Sequence, residues 1–224
     1  MSLDDHSISN DMRENMSMLN LAKFDLTALQ TEPCDHIVVP EFVVPGALDS
    51  LNKDFPSIVK PGNFPLEELS YGPQFKALID ELTGPEVRKH FAAKFGMGLD
   101  AYPTQVSVRK FMSSLDGNIH NDSRSKMITV LIYFNEEWKQ AGGQLRITHA
   151  IDKMDDYYVE VPPVRGNLIA FRRNDRSFHG FPPAQGERRS LQMYWVEPKR
   201  LNRKKATGIR KALHKIYKRT FGKR

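Results

Sequence analysis

A β core, either barrel or sandwich, backed by a layer of helices is the fold class that the sequence predicts. Two observations predict it. From Thr104 onward the chain breaks into short β-branched or aromatic runs separated by turn residues, and the residues before Thr104 carry helical rather than strand patterns. At 224 residues, 40% hydrophobic and 27% charged, the chain suits one large globular domain that can bury a real core.

Taken in order, residues 1–15 ("MSLDDHSISNDMREN") are polar, partly acidic and expected to be disordered; they do not read as a secretory signal. Residues 16–103 are expected to form a helical support layer with short N-terminal strands. Within it, Leu21, Phe24 and Ala28 at i, i+3, i+7 predict a first helix. "HIVVPEFVVP" predicts short extended pieces broken by Pro40 and Pro45. Gly46 to Lys53 reads as a helix, and Phe75, Leu78, Ile79 and Leu82 give "PQFKALIDEL" the stripe of another. "GPEVRKHFAAKFG" carries proline near its start and glycine at its end, the punctuation of a third.

Residues 104–197 hold the strands: "TQVSVRKFM", "KMITVLIYFN", "GGQLRITH", "DYYVEVP", "GNLIAFR" and "RRSLQMYWV". Gly142-Gly143 and Gly166-Asn167 read as turns between them, and Trp138 and Trp195 as packing residues. Residues 198–224 form a basic tail. From Glu197 to Arg224 there are 12 Lys/Arg and one acid, whereas the rest of the chain holds 21 basic against 26 acidic residues, so the basic balance belongs to the tail. Ile209, Leu213, Ile216 and Tyr217 share one helical face there; docking on the core competes with contact to an anionic membrane surface, nucleic acid or an acidic partner. No apolar run approaches the roughly 18 residues of a membrane span. A single cysteine, Cys34, excludes an internal disulfide and suits a reducing compartment, so a cytoplasmic location is expected.

Chemistry concentrates in "HNDSRSK". Residues i and i+2 of a strand point to one face, so His120 and Asp122 can bind one ion together. Taken alone, such a pair reads most simply as a solvated turn. His179, in "DRSFHGFPP", can supply the third ligand. Two histidines and a carboxylate form a facial triad that leaves coordination positions open, the pattern of non-haem Fe(II) oxygenases. His6, His36, His90, His149 and His214 have no comparable context and read as structural or surface residues.

Nine residues after His179, Arg188 and Ser190 make an Arg-x-Ser pair on one strand face. A guanidinium can hold a carboxylate in a two-pronged fork, with a hydroxyl adding a further bond. A dicarboxylate co-substrate chelating the iron at its keto-acid end and held at its far end fits that pair. By alternation only one of Arg188 and Arg189 can face inward, and the other reads as a solvent-facing charge.

"HND", "LIYFNEEW", "GGQLRI", "GNLIAF", "FHG" and "ERRSL" occur in the order found in the 2-oxoglutarate- and Fe(II)-dependent dioxygenases, and the chain from about Val106 to Val196 resembles their prolyl-hydroxylase-like branch. The resemblance implies a double-stranded β-helix (jelly-roll, cupin-like) with supporting helices. It implies that His120, Asp122 and His179 hold iron, that Arg188 takes the far carboxylate of 2-oxoglutarate with Ser190 as helper, and that Tyr133 contacts the co-substrate. Phe111 stands where many relatives carry a tyrosine, which removes one hydrogen bond to the co-substrate. The implied reaction consumes dioxygen, with ascorbate as an optional reductant, and turns 2-oxoglutarate into succinate and CO2 while a C–H bond is hydroxylated. A protein or peptide (prolyl) side chain leads as substrate, ahead of a small-molecule or glycan-linked one. A non-catalytic binding module on the same barrel and a hydrolytic zinc enzyme are the rival classes. Substrate is expected over loops 112–117, 148–158 and 172–177.

Overall fold

In the computed structural model of the chain, residues 17–199 are described. The expectations for residues 1–15 and for the basic tail beyond Lys199 lie outside them. Among the described residues four α-helices, α1 (Leu21–Leu26), α2 (Pro45–Lys53), α3 (Pro73–Leu82) and α4 (Pro85–Lys94), support nine strands. These are β1 (His36–Val39), β2 (Phe64–Pro65), β3 (Thr104–Met112), β4 (Lys126–Tyr133), β5 (Leu145–Thr148), β6 (Tyr157–Val161), β7 (Leu168–Arg172), β8 (His179–Gly180) and β9 (Gly186–Val196).

The strands make two antiparallel sheets, one ordered β1-β7-β4-β9-β3-β2 and the other β6-β5-β8. Their inner faces meet in an apolar cluster in which Leu131, Tyr133, Ile169 and Phe171 of the large sheet pack with Leu145, Ile147 and Val161 of the small one. This is the jelly-roll arrangement expected for a double-stranded β-helix. β1, from the helical half of the chain, pairs with β7 and so completes one side of the large sheet.

Period-two alternation sorts the large sheet's side chains between two tasks. On β4, Ile128, Val130 and Ile132 join the core beneath the helices, while Thr129, Leu131 and Tyr133 face the small sheet. On β9, Leu191, Met193 and Trp195 go to the helix side. Phe75, Leu78, Ile79 and Leu82 of α3, together with Val87 and Phe91 of α4, supply the other half of that core, and Phe91 packs against Trp195 with ring centres 4.9 Å apart. Each of α2, α3 and α4 begins with proline at its first position, where the missing N–H costs nothing.

α1 is shorter than its periodicity predicts. Thr27 turns extended, and its hydroxyl and N–H both bind the Lys23 carbonyl, so the helix stops before Ala28, which is exposed. No helix among the described residues is long and apolar enough to cross a membrane.

Candidate active site

His120 and His179 face each other across an antiparallel bridge and exchange both backbone hydrogen bonds, at 3.0 and 2.9 Å. Side chains of directly opposed residues fall on one side, so the rings come within 4.4 Å, centre to centre. Asp122, two residues on, points the same way, with Oδ2 3.9 Å from His179 Nε2. One ligand atom from each of the three lies within 4.8 Å of the others, and this is the one such His/Cys/Asp/Glu group among the described residues. The three sequence-predicted residues are therefore brought together.

The donor set suits a divalent metal. Each imidazole sets its Nδ1 against a nearby carbonyl, His120 against Asn118 at 3.0 Å and His179 against Ser177 at 2.9 Å. With the proton on Nδ1, Nε2 is left with its lone pair toward the site. Burial drives the His179 pKa down to about 4, so the ring is neutral at pH 7. Burial alone would raise the Asp122 carboxyl; the pull of His179 and Lys126, with hydrogen bonds from Lys126 and Thr129, holds it below the ordinary carboxylate range. Thr129 Oγ1 donates to Asp122 Oδ2 at 2.6 Å, and Lys126 Nζ donates to Oδ1. Two imidazoles and one carboxylate form the facial donor set that suits a non-haem ferrous ion.

Asn121, between two of these ligands, points elsewhere and holds the third in place. Its Nδ2 donates to the Asn174 carbonyl at 2.7 Å, and its Oδ1 accepts from Ser177 Oγ at 2.8 Å. Loop 172–177, expected over the mouth, thus ties the His179 segment to the His120 segment. Loops 112–117 and 148–158 do border the mouth, where Gly117, Ile151, Asp152 and Met154 line a shallow cleft with Phe181.

Arg188 faces inward and is 1% exposed. Its guanidinium lies between the rings of Tyr133 (4.9 Å) and Phe181 (4.5 Å), with Nε donating to the Gly143 carbonyl at 2.7 Å and Nη2 reaching Tyr133 Oη at 3.4 Å. Ser190 Oγ is buried beside it and has no hydrogen-bond partner among the described residues, an orphaned donor that a carboxylate would satisfy. Gly142-Gly143 does more than turn. Gly143 has φ +90°, and a Cβ there would sit 2.5 Å from the Trp138 ring; Trp138 Nε1 in turn donates to the Gly142 carbonyl at 2.7 Å. The close packing of Trp138 on glycine aims the carbonyl that fixes Arg188.

Arg189 corrects the expectation of a solvent-facing charge on an edge strand. β9 lies between β4 and β3, so its far face meets the helices. Arg189 Nη1 donates to Asn52 Oδ1 at 2.8 Å, and the guanidinium lies 5.7 Å from the Phe55 ring. His90 and His149 are also better matched than their sequence context predicts: His90 contacts Asp25 (2.8 Å) and Glu86 (3.2 Å), and His149 contacts Asp156 (2.8 Å). Neither set brings three ligand atoms together as the triad does among the described residues.

The sequence reading missed Lys126, Thr129, Asn121 and Arg109. Thr129 was detectable, because it shares the inward phase of Leu131 and Tyr133. Lys126 and Asn121 act through contacts that only folding creates.

A cavity of about 290 Å³ joins the triad, Thr129, Arg188, Arg109 and Gln192. Residues 106–197 match the family model described as the 2OG-Fe(II) oxygenase superfamily, a stretch containing every residue of the proposed iron and co-substrate sites. That match covers 92 of the chain's 224 residues, and together with the triad it supports an enzyme of the 2-oxoglutarate/Fe(II)-dependent class. Among solved structures, a Pseudomonas putida prolyl-4-hydroxylase is similar at TM-score 0.53 and 20% identity, covering 79% of this chain and 93% of the other. A viral collagen prolyl hydroxylase from Paramecium bursaria Chlorella virus-1, in complex with 2OG, is similar at 0.51 and 15% (71% and 93% covered). A 2OG-Fe(II) oxygenase family oxidoreductase from Burkholderia pseudomallei is similar at 0.52 and 13% (81% and 92%). At these identities the likeness establishes the fold. No curated protein sequence matches the chain.

Proposed function

We propose that the protein hydroxylates an unactivated C–H bond in a reaction coupled to oxidative decarboxylation of 2-oxoglutarate, with His120, Asp122 and His179 as iron ligands and Arg188 as the anchor of the co-substrate. The observation that carries the reading is the convergence of the triad and a buried, inward-facing arginine on one cavity. A bare binding module has no need of both, and a hydrolytic zinc site has no need of Arg188 beside an orphaned Ser190 hydroxyl.

When bound, Fe(II) with 2-oxoglutarate and dioxygen supplies the oxidising power, the co-substrate leaving as succinate and CO2. The protein's own residues position and shield. His120 and His179 offer Nε2 to the metal because their Nδ1 atoms are engaged by carbonyls. Thr129 and Lys126 orient the Asp122 carboxylate. Arg188, with Ser190 and Tyr133 on its flanks, takes the far carboxylate of 2-oxoglutarate in a fork held rigid by Gly143. Leu131 and Phe181 keep the reacting volume partly dry.

A prolyl or other side chain of a peptide or protein is the leading substrate. Its support is the prolyl-hydroxylase fold together with a groove of about 580 Å³ that borders the cavity through shared Asn63, Lys126 and Tyr194 and has room for residues flanking the reacting one. A small molecule is the second reading, favoured by the modest cavity volume. Ascorbate is the reductant expected to sustain turnover, and the cytoplasm the expected location. The test is succinate release by purified Fe(II)-loaded protein, alone and with peptide or small-molecule panels. Absence of 2-oxoglutarate-dependent succinate under every condition, with iron bound, removes the reading.

A further inference from the structure

The cavity holds a second arginine that the iron and co-substrate sites do not use. Arg109 on β3 pairs directly with Ser190 on β9, and Ser190 pairs with Tyr133 on β4. Directly paired residues present their side chains to one face, so Arg109 stands at the same level as Ser190 and Tyr133 and lines the same cavity. Its side chain is 13% exposed. Among the described residues Asp116 is its one charged partner, pairing with Nη1 at 2.7 Å, while the buried Nε has no hydrogen-bond partner. Asp116 is itself committed to the Ser113 N–H at 2.8 Å. A buried guanidinium donor left without an acceptor is costly unless a ligand completes it.

The charge balance points the same way. Counted over the described residues alone, Arg109, Lys126 and Arg188 border the cavity against Asp122, with Asp116 behind Arg109, an excess of one positive charge. A ferrous ion and a 2-oxoglutarate dianion cancel each other, so the excess survives into the loaded enzyme. Burial first, and then the Arg109 charge, disfavour protonation of Arg188, which shows that the two guanidiniums feel one another. Further polar groups line the cavity. Asn63 Nδ2 donates to Gln192 Oε1 at 3.0 Å and to Ser107 Oγ at 2.9 Å, and Tyr194 is bound to Gln192.

We infer that Arg109 is a specificity-determining residue that grips a carboxylate of the primary substrate, so that the molecule hydroxylated carries an acidic group close to the reacting carbon. This rests on the oxygenase reading above and adds the substrate's chemistry to it. The carboxylate can come from a free amino or carboxylic acid or from an acidic or C-terminal group of a peptide, and the test separates the two.

The experiment is calorimetric titration of the full-length Fe(II)-loaded protein under anaerobic conditions. 2-Oxoglutarate is titrated first, then a panel pairing each carboxylate with its amide: L-proline with L-prolinamide, related small acids with their amides, and prolyl peptides with a free or amidated C-terminus and with Glu or Gln beside proline. The expected result is that members of one arm bind at least about tenfold tighter as carboxylates than as amides. Arg109→Gln should remove that preference while changing the 2-oxoglutarate affinity by no more than about twofold, and Arg109→Lys should restore part of it. Binding confined to the free acids, or to the peptides, identifies the source. The inference is overturned if no acid is preferred over its amide, or if Arg109→Gln weakens 2-oxoglutarate as much as it weakens the acid, which would give Arg109 to the co-substrate. Wild-type protein that fails to bind 2-oxoglutarate overturns the oxygenase reading instead.

Discussion

His120 and His179, 59 residues apart in the chain, are direct cross-strand partners whose two backbone hydrogen bonds bring their rings within 4.4 Å. The pairing makes the proposed metal site a property of sheet register rather than of loop conformation, and a one-residue slip would turn one imidazole away.

His120→Ala, Asp122→Ala and His179→Ala should each abolish 2-oxoglutarate turnover and lower bound iron, measured by succinate release and metal analysis. Full succinate production by any one of them would remove that residue from the triad.

Arg188 and Arg189 should separate cleanly. Arg188→Ala is expected to raise the KM for 2-oxoglutarate by about 10- to 100-fold, the loss of a charge-assisted fork. Arg189→Ala should leave that KM unchanged and cost about 1 kcal/mol in a denaturation curve, through its bond to Asn52. An interchange of these outcomes would move the anchor one residue along β9.

Thr129→Val keeps the shape of the side chain and deletes the donor to Asp122 Oδ2. Iron affinity should drop by about 10- to 100-fold, with the fold retained by circular dichroism. Unchanged affinity would mean that Lys126 alone orients the carboxylate.

The metal-free protein should lose stability in acid through His179. Its pKa is about 4 in the folded chain against 6.5 as the ordinary value, so protonation favours the unfolded state. Stability is full above 6.5 and falls as the pH drops toward 4, by about 3 kcal/mol at roughly 1.4 kcal/mol per unit. Asp122, with its carboxyl held below the ordinary range, stays ionised through most of that window. Denaturant titrations of chelator-treated protein between pH 7 and 4 measure the slope, and His179→Gln should flatten it.

What a residue's neighbours in the chain can decide was legible beforehand. The stripe of Phe75, Leu78, Ile79 and Leu82 specified α3, alternation specified β4 and β9, and the spacing of His120 and Asp122 placed two ligands on one face, because helix and strand periods are local properties of the backbone. The choice of Arg188 over Arg189 came from the family resemblance and its Arg-x-Ser phase, since alternation alone says only that one of the two faces inward. Where the outward residues of β9 would go was not local: Arg189 meets α2 because a helical layer covers that face of the sheet. Nor was it visible that Asn121 and Ser177 would lock two ligand segments together, that Gly143 would hold Arg188, or that Arg109 would enter the same cavity. The hydrogen bonds among them join residues 45 and 56 positions apart, and side-chain hydrogen bonding at such separations leaves no periodic trace in a single chain; packing of the two sheets is what creates it.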